Sequence, residues 1–185
     1  MTDEELVLLA RQGDPDAFDQ LVVRHQSAVY RAALAALRVP QDAEEVAQDA
    51  LVRAWSHLGR FRGDSSFKTW LLTITWNQAM SRRRSVAGWI RRAVAIDAVV
   101  EPADSGRPQD GAVHDREMER HAQQAIQRLS PTLRDALLLA QSGDYGYGEI
   151  GAMLKVPVGT VKWRVSEARR RVRQALATLG YVDAR

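Results

Sequence analysis

The stretch from Tyr147 to Leu179, YGEIGAML-KVP-VGTVKWRVSEARRRVRQALATL, decides the fold. In its second part Val161, Val165, Ala168, Val172, Ala175, Leu176 and Leu179 recur at three- and four-residue steps, which lays them along one face of a helix. That face must be buried. Between them Lys162, Arg164, Arg169, Arg170, Arg171 and Arg173 give the helix an exposed basic side. The short first part adds Ile150, Met153 and Leu154 to the same core, and the break falls at Lys155-Val156-Pro157. Two helices joined by a three- or four-residue turn, the second basic and polar at its start, have the pattern of a helix-turn-helix whose second helix enters a major groove. A solvated arginine-rich helix is the plainer alternative, and charge runs often are that. The preceding turn and companion helix favour the groove.

Outside this stretch, composition narrows the class. A chain of 185 residues with 45% apolar side chains can bury a core as one domain or two small ones. No apolar run approaches the length of a bilayer span, and Met1-Thr2-Asp3-Glu4-Glu5 is acidic where a secretory signal is basic. The absence of cysteine removes disulfides and thiolate metal sites and fits a cytoplasmic protein. The net charge of +3 is unevenly placed. Residues 61–96 carry 7 basic and 1 acidic side chains and residues 153–185 carry 8 and 2, while 1–60, 97–120 and 121–152 are net acidic. Two basic blocks predict two places where phosphate is met.

The helical pattern fills most of the chain. Thr2 and Glu5 have capping-box spacing before a first short helix that stops at Gly13. Asp14-Pro15 opens a second helix that ends before Val39-Pro40. A third begins near Asp42 and closes at Gly59, and a loop over 60–66 leads to Ser65 or Ser66 as cap of a fourth that runs to the Arg82-Arg83-Arg84 run. From Ser85 to Val113 the pattern fails around Glu101-Pro102-Ala103-Asp104-Ser105-Gly106-Arg107-Pro108, which predicts a flexible linker. Beyond it a helix around Met118 to Leu129 and one begun by Ser130-Pro131 precede the opening motif. The expected fold is all-α: two four-helix domains, 1–84 and 114–185, joined by the linker 85–113.

Three strings in this order resemble an extracytoplasmic-function sigma factor, a two-domain member of the bacterial sigma-70 family. They are Asp42-Ala43-Glu44-Glu45-Val46-Ala47-Gln48-Asp49-Ala50-Leu51-Val52-Arg53-Ala54-Trp55, then Phe61-Arg62-Gly63-Asp64-Ser65-Ser66-Phe67-Lys68-Thr69-Trp70-Leu71, and Val156-Pro157-Val158-Gly159-Thr160-Val161-Lys162. The resemblance runs from about Leu6 to Leu179 apart from the linker. It implies a promoter-specificity subunit that binds core RNA polymerase, at the clamp helices of the largest subunit and at the flap, together with promoter DNA. It also implies control by an anti-sigma protein, since no sensor is visible in the chain.

By that resemblance Asp42, Glu45, Gln48, Asp49 and Arg53 belong to the polymerase-binding helix. Physics agrees in outline, because an acidic, amide-bearing face suits a basic protein surface and repels DNA. Arg60, Phe61, Arg62, Asp64, Ser65, Lys68, Trp76, Asn77, Arg82 and Arg83 correspond to the reader of a single-stranded minus-ten element. Trapping unstacked bases needs aromatics, amides and nearby cations, and this set supplies them. Trp70, Leu71 and Ile74 read as core. Where primary sigma factors carry a tryptophan pair this chain has Thr73-Ile74, which argues against strong unaided melting. In the minus-thirty-five reader, Thr160, Lys162, Trp163, Ser166 and Glu167 are expected to face the groove, with Arg164, Arg169 and Arg170 at nearby phosphates or bases. Trp163 and Glu167 depart from the usual small polar residue and arginine, and a carboxylate there can accept from cytosine N4. Gly146, Gly148 and Gly151 are expected to weaken the first helix of the motif.

Enzyme chemistry finds little support. His25, His57, His114 and His121 are scattered, and only His114, Glu117 and His121 share a helix face, without a third segment to complete a metal site. No phosphate-cradling glycine loop is present. The expectation is a protein without catalysis, metal or cofactor. The alternative in the same chemical class is a stand-alone helix-turn-helix regulator that binds duplex DNA without polymerase. A helical adaptor that touches no DNA is the rival outside it.

Overall fold

The computed structural model describes the backbone of residues 1–94 and 110–181, with side chains outside 86–116. Among the described residues it is helical throughout: α1 Asp3–Arg11, α2 Pro15–Leu37, α3 Pro40–His57, a 3-10 turn Leu58–Arg60, α4 Phe67–Val94, α5 Asp110–Arg128, α6 Pro131–Gln141, α7 Tyr147–Leu154 and α8 Val158–Ala177. No described helix is long and apolar enough to cross a membrane.

Local chemistry sets most of the helix starts. The Thr2 amide donates to Glu5 Oε2 at 2.8 Å and the Glu5 amide to Thr2 Oγ1 at 3.3 Å, so both members of the capping box form. Asp14 Oδ1 accepts from the amides of Asp16 and Ala17, with Pro15 at the first helical position. Ser66 Oγ accepts from the Thr69 amide at 3.1 Å and starts α4. Arg38, at φ 60°, turns the chain into the left-handed region and ends α2. Pro40 then opens α3, so the Val39-Pro40 pair both stops one helix and starts the next, two residues before Asp42. His57 ends α3, and Gly59 sits in the 3-10 turn instead of a helix cap. Ser130 occupies the N-cap of α6 but makes no capping bond; Pro131 carries that start.

The linker reading of 85–113 needs correction at both ends. α4 continues past Arg84 to Val94, and α5 begins at Asp110. Ala87, Arg91, Arg92 and Ala93 beyond Ser85 are good helix formers, because those residues lose little freedom in a helix. The Pro102 to Pro108 stretch, on which the linker reading rested, lies outside the described residues.

Three apolar clusters hold the helices together. One lies within α1 to α4 around Leu6, Leu21, Val29, Leu58, Phe67 and Leu71. A second joins α5, α6 and α8 through Ile126, Leu129, Leu133, Leu137 and Ala168. The third crosses between the two halves. Here Ala28, Ala32 and Ala36 of α2 with Leu72 and Trp76 of α4 meet Leu139, Tyr145, Ile150 and Met153. Alanines on α2 leave room for a neighbouring element to come close, and Tyr145 uses it: its hydroxyl donates to the Ala28 carbonyl at 2.7 Å. Each large side chain fully buried in these clusters contributes roughly 1.5–3 kcal/mol of transfer free energy.

The glycines of the helix-turn-helix fall into different roles. Gly146 is the N-cap of α7, and its amide donates to Glu149 Oε2 at 2.9 Å. Gly148 faces open space. At Gly151 a β-carbon would lie 2.8 Å from the Val156 carbonyl oxygen and 3.7 Å from Val161 Cγ2, where the turn folds back and the Val156 amide donates to the Gly151 carbonyl. The turn between α7 and α8 therefore requires a bare backbone at Gly151. Thermal melting is expected to separate them: Gly151→Ala destabilises by roughly 1–3 kcal/mol through overpacking. Gly148→Ala stabilises by roughly 0.5–1 kcal/mol through helix propensity.

Candidate nucleic-acid interface

Two surfaces carry the residues singled out from sequence. On the first, α3 and α4 lie side by side and leave an open groove of about 740 Å³, lined by Glu45, Asp49 and Arg53 on one wall and Trp70, Ile74, Asn77 and Arg82 on the other. Three- and four-residue steps along α3 bring Glu45, Gln48, Asp49, Arg53 and Ser56 to the outside, and Ala43, Val46, Ala47, Ala50 and Ala54 beneath. Of the five polymerase-binding candidates, Glu45, Gln48, Asp49 and Arg53 are exposed and Asp42 is half-buried.

Arg82 connects this face to the basic run on α4. Its Nη2 lies 2.8 Å from Asp42 Oδ1 and 2.9 Å from Glu45 Oε2, and these carboxylates raise its pKa above the ordinary guanidinium value. Arg84 remains exposed beside the groove. Arg60 and Arg62 project from the loop, where Arg62 pairs with Asp64 at 3.2 Å; Ser65 is exposed beside them. Phe61 is half-buried and stacks obliquely on Trp70, ring centres 5.2 Å apart, with Phe67 behind both.

Two expectations change here. Trp76 is only 3% exposed and belongs to the cluster between the two halves, so in this conformation it packs and offers no face to a base. Trp70 and Ile74, read as plain core, are half-buried and line the groove, while Leu71 is core as expected. The adjacency of Trp70 to the loop aromatic Phe61 was the available signal. Periodicity alone could not tell which of two tryptophans six residues apart faces inward. Lys68 and Arg83 are also engaged: Lys68 Nζ lies 3.0 Å from Glu149 Oε1, and Arg83 makes a paired contact with Asp135 at 2.8 and 3.0 Å.

The second surface is the start of α8. Val161, Val165 and Ala168 are buried against α6 and α7, which turns Lys162, Trp163, Ser166, Arg169 and Arg170 outward. Trp163 is 62% exposed, an unusual position for a large aromatic ring with no partner surface. Thr160 and Arg164 are half-buried, and Arg164 lines the cavity between the halves with Asn77, Arg84 and Asp135.

Glu167 behaves differently from its sequence reading. Its Oε1 accepts from Arg170 Nη2 at 2.8 Å and Arg171 Nε at 2.7 Å, and its Oε2 from Arg170 Nε at 2.8 Å. Hydrogen bonds from Arg170 first, and then Arg171, push the carboxyl down to about 2. The cytosine-accepting role thus gives way, in this conformation, to that of a brace that fixes two arginines on the basic face. Because the folded pKa lies below that of a free carboxylate, the brace stabilises the fold fully above about pH 5 and loses its effect as pH falls towards 2. Carbon-detected NMR titration is expected to find the Glu167 midpoint near 2, and the melting-temperature gap between wild type and Glu167→Gln is expected to close over the same acid range; a midpoint near 4.5 would mean an unbraced carboxylate.

Comparison with known proteins places both surfaces in matched sequence. The family model described as Sigma-70 region 2 matches residues 21–93, and that described as Sigma-70, region 4 matches residues 120–172. The chain is 34% identical over 187 residues to the RNA polymerase sigma-H factor of Pseudomonas aeruginosa, covering 96% of this chain and 95% of that one. It is 34% identical to the ECF RNA polymerase sigma-E factor of Escherichia coli strain K12, covering 93% of each. Among solved structures it is similar to CnrH in complex with the cytosolic domain of CnrY, with a TM-score of 0.67, 26% identity and coverage of 95% and 97%. It is likewise similar to the sigma factor RpoE in complex with the anti-sigma factor NepR from Bartonella quintana, with a TM-score of 0.62, 26% identity and coverage of 86% and 96%.

Proposed function

Because this chain belongs to the extracytoplasmic-function group of the sigma-70 family and is an RNA polymerase sigma factor, we propose that its two surfaces divide promoter recognition between them. The exposed face of α3, with Asp42, Glu45, Gln48, Asp49 and Arg53, docks on the clamp helices of the largest polymerase subunit. Beside it the groove residues Arg60, Asn77 and Arg82, with Phe61, Arg62, Asp64 and Ser65 of the loop and Lys68 and Arg83 elsewhere on α4, hold the minus-ten element as single-stranded DNA. Phe61 and Trp70 supply the stacking platform and Trp76 the support beneath. The observation that carries this reading is the groove between α3 and α4, where Glu45, Asp49 and Arg53 stand on one wall and Trp70, Asn77 and Arg82 on the other. Such an arrangement ties strand capture to polymerase docking, as base stacking and nearby cations are what an opened strand needs.

At the other end, α8 enters the major groove of the minus-thirty-five element, with the flap of the polymerase holding this half of the chain. Lys162, Arg164, Arg169 and Arg170 neutralise phosphate, Thr160 and Ser166 reach base edges, and the exposed Trp163 offers an apolar surface to a thymine methyl group. Glu167 acts on DNA through the arginines it aligns. Control by an anti-sigma protein fits the same scheme: one of the similar solved structures holds a sigma factor in complex with an anti-sigma factor, and the exposed face of α3 and the seam between the halves are where such a partner would compete. The working compartment is the cytoplasm, where polymerase and promoter are found.

Run-off transcription with purified core enzyme on a promoter library is expected to give transcripts that depend on this chain. Glu45→Ala with Gln48→Ala and Asp49→Ala is expected to lower core-enzyme binding at least tenfold while leaving the fold intact, and no change in binding would remove α3 from the contact. Lys162→Ala is expected to weaken promoter binding uniformly across sequences and to reduce the salt slope by about one counterion.

A further inference from the structure

A second cavity, of about 310 Å³, is lined jointly by α4, α6, α7, the turn after α7 and α8. That volume lies at the small end of ligand sites. Three cations reach it: Arg84 from α4, Lys155 from the turn and the half-buried Arg164 from α8. Among the described residues, none of their side chains makes an ion pair or a hydrogen bond. The carboxylate of the lining, Asp135, is already engaged, because both of its oxygens accept from Arg83, at 2.8 and 3.0 Å. The lining is therefore strongly positive. Like charges around a partly desolvated cavity repel one another more than they would in water, and an anion held between them offsets that repulsion. Lys155 adds a backbone signal of its own. It ends α7 at φ 55° and ψ 46°, in the left-handed region where glycine or asparagine is usual, and this chain places a lysine there instead.

The rest of the lining says what kind of anion fits. Trp76, Met80, Met153 and Leu154 give it an apolar wall, and polarizable thioethers beside an indole suit a flat ring. Two polar side chains complete it. Asn77 offers an amide donor and an acceptor of the kind that pairs with a base edge, and Thr132 offers a hydroxyl. Thr132 stands in the first turn of α6, whose N-cap Ser130 makes no side-chain capping bond, so that end of the helix keeps its partial positive charge. We propose that this cavity binds a free mononucleotide with a short phosphate chain. Its phosphates lie among Arg84, Lys155 and Arg164, and its base lies against the methionines with one edge on Asn77. Two or three phosphate charges match three cations. The site goes beyond promoter recognition, because its ligand is a small metabolite and its binding needs neither polymerase nor DNA. One consequence does rest on the reading of α8 given above: bound nucleotide draws Arg164 away from promoter phosphate.

Isothermal titration of the full chain with ADP, adenosine and inorganic pyrophosphate separates the contributions of ring and phosphate. The variant R84Q/K155Q removes two of the three charges, and neither residue belongs to the proposed polymerase or promoter contacts. A control with equal charge change away from the cavity is R120Q/R128Q, both exposed. Thr132→Tyr fills the cavity without changing charge, and thermal melting checks that every variant is folded. Wild type is expected to bind ADP more tightly than either adenosine or pyrophosphate. R84Q/K155Q is expected to lose ADP affinity by roughly tenfold or more, as two charge-assisted contacts are removed. Thr132→Tyr is expected to lose it as well, while R120Q/R128Q keeps it. No heat with ADP at millimolar concentration overturns the site. Pyrophosphate binding as tightly as ADP overturns the nucleotide assignment, since the apolar wall then takes no part. Equal losses in the two double variants overturn the cavity and leave plain charge as the cause. Promoter-duplex binding is scored in parallel by fluorescence anisotropy. If R84Q/K155Q loses duplex binding and wild type takes up no ADP, the cations belong to DNA and the site is overturned. Weaker duplex binding in the presence of ADP, by wild type but not by R84Q/K155Q, supports the withdrawal of Arg164; a chain that binds ADP yet no promoter overturns only the reading of α8.

Discussion

One hydrogen bond, from the Tyr145 hydroxyl to the carbonyl of Ala28, marks the constraint around which the two halves are arranged. A helix carbonyl has a second lone pair to offer, but a neighbour can reach it only where the helix face is low. Ala28, Ala32 and Ala36 make α2 low there. The tyrosine is buried, and burial with the nearby Asp144 carboxylate pushes its hydroxyl well above the ordinary phenol pKa. It remains a neutral donor. Around this contact the apolar side chains of α6 and α7 meet α2 and α4, and Asp135, Asp144 and Glu149 pair with Arg83, Arg31 and Lys68.

The same element that joins the halves leads into the helix-turn-helix. Tyr145 precedes Gly146, the N-cap of α7, α7 packs against α8 where the chain folds back over Gly151, and α8 presents the basic face. The tight turn sets the pitch of α8 against its companion. On the other side α4 carries Lys68 and Arg83, which pair with Glu149 and Asp135 of the second half, and Arg82, which pairs with α3. Arg82 adds a link of its own, because it bridges the basic run of α4 to Asp42 and Glu45 on α3.

Much of this was legible in the chain itself. The helix starts at Thr2, Asp14-Pro15 and Ser66 depend on side chains two or three residues from the amides they cap, and short-range chemistry of that kind survives any tertiary arrangement. The buried stripe of α8 followed from its three- and four-residue steps. Less legible was the fate of particular residues. Trp76 and Trp70 lie on the same helix with similar local patterns, yet one is buried between the halves and the other lines the groove. By the family resemblance Glu167 faces the groove. Its neighbours Arg170 and Arg171, three and four residues on, were in plain sight, and the braced geometry is the arrangement helix spacing allows.

By itself the sequence determined an all-helical chain in two units, each with a basic surface, because capping and hydrophobic periodicity are local and additive along the chain. It also carried the three strings that identify the family, because those motifs are contiguous. Only the tertiary structure decided which cations are free. Arg83 and Asp135 stand 52 residues apart, Lys68 and the Asp144 carbonyl 76, and Tyr145 and Ala28 117. No periodicity links positions so distant. Their pairing is settled by the fit of the alanine face of α2 and the apolar face of α4 against α6 and α7, and that fit exists only once the helices are assembled.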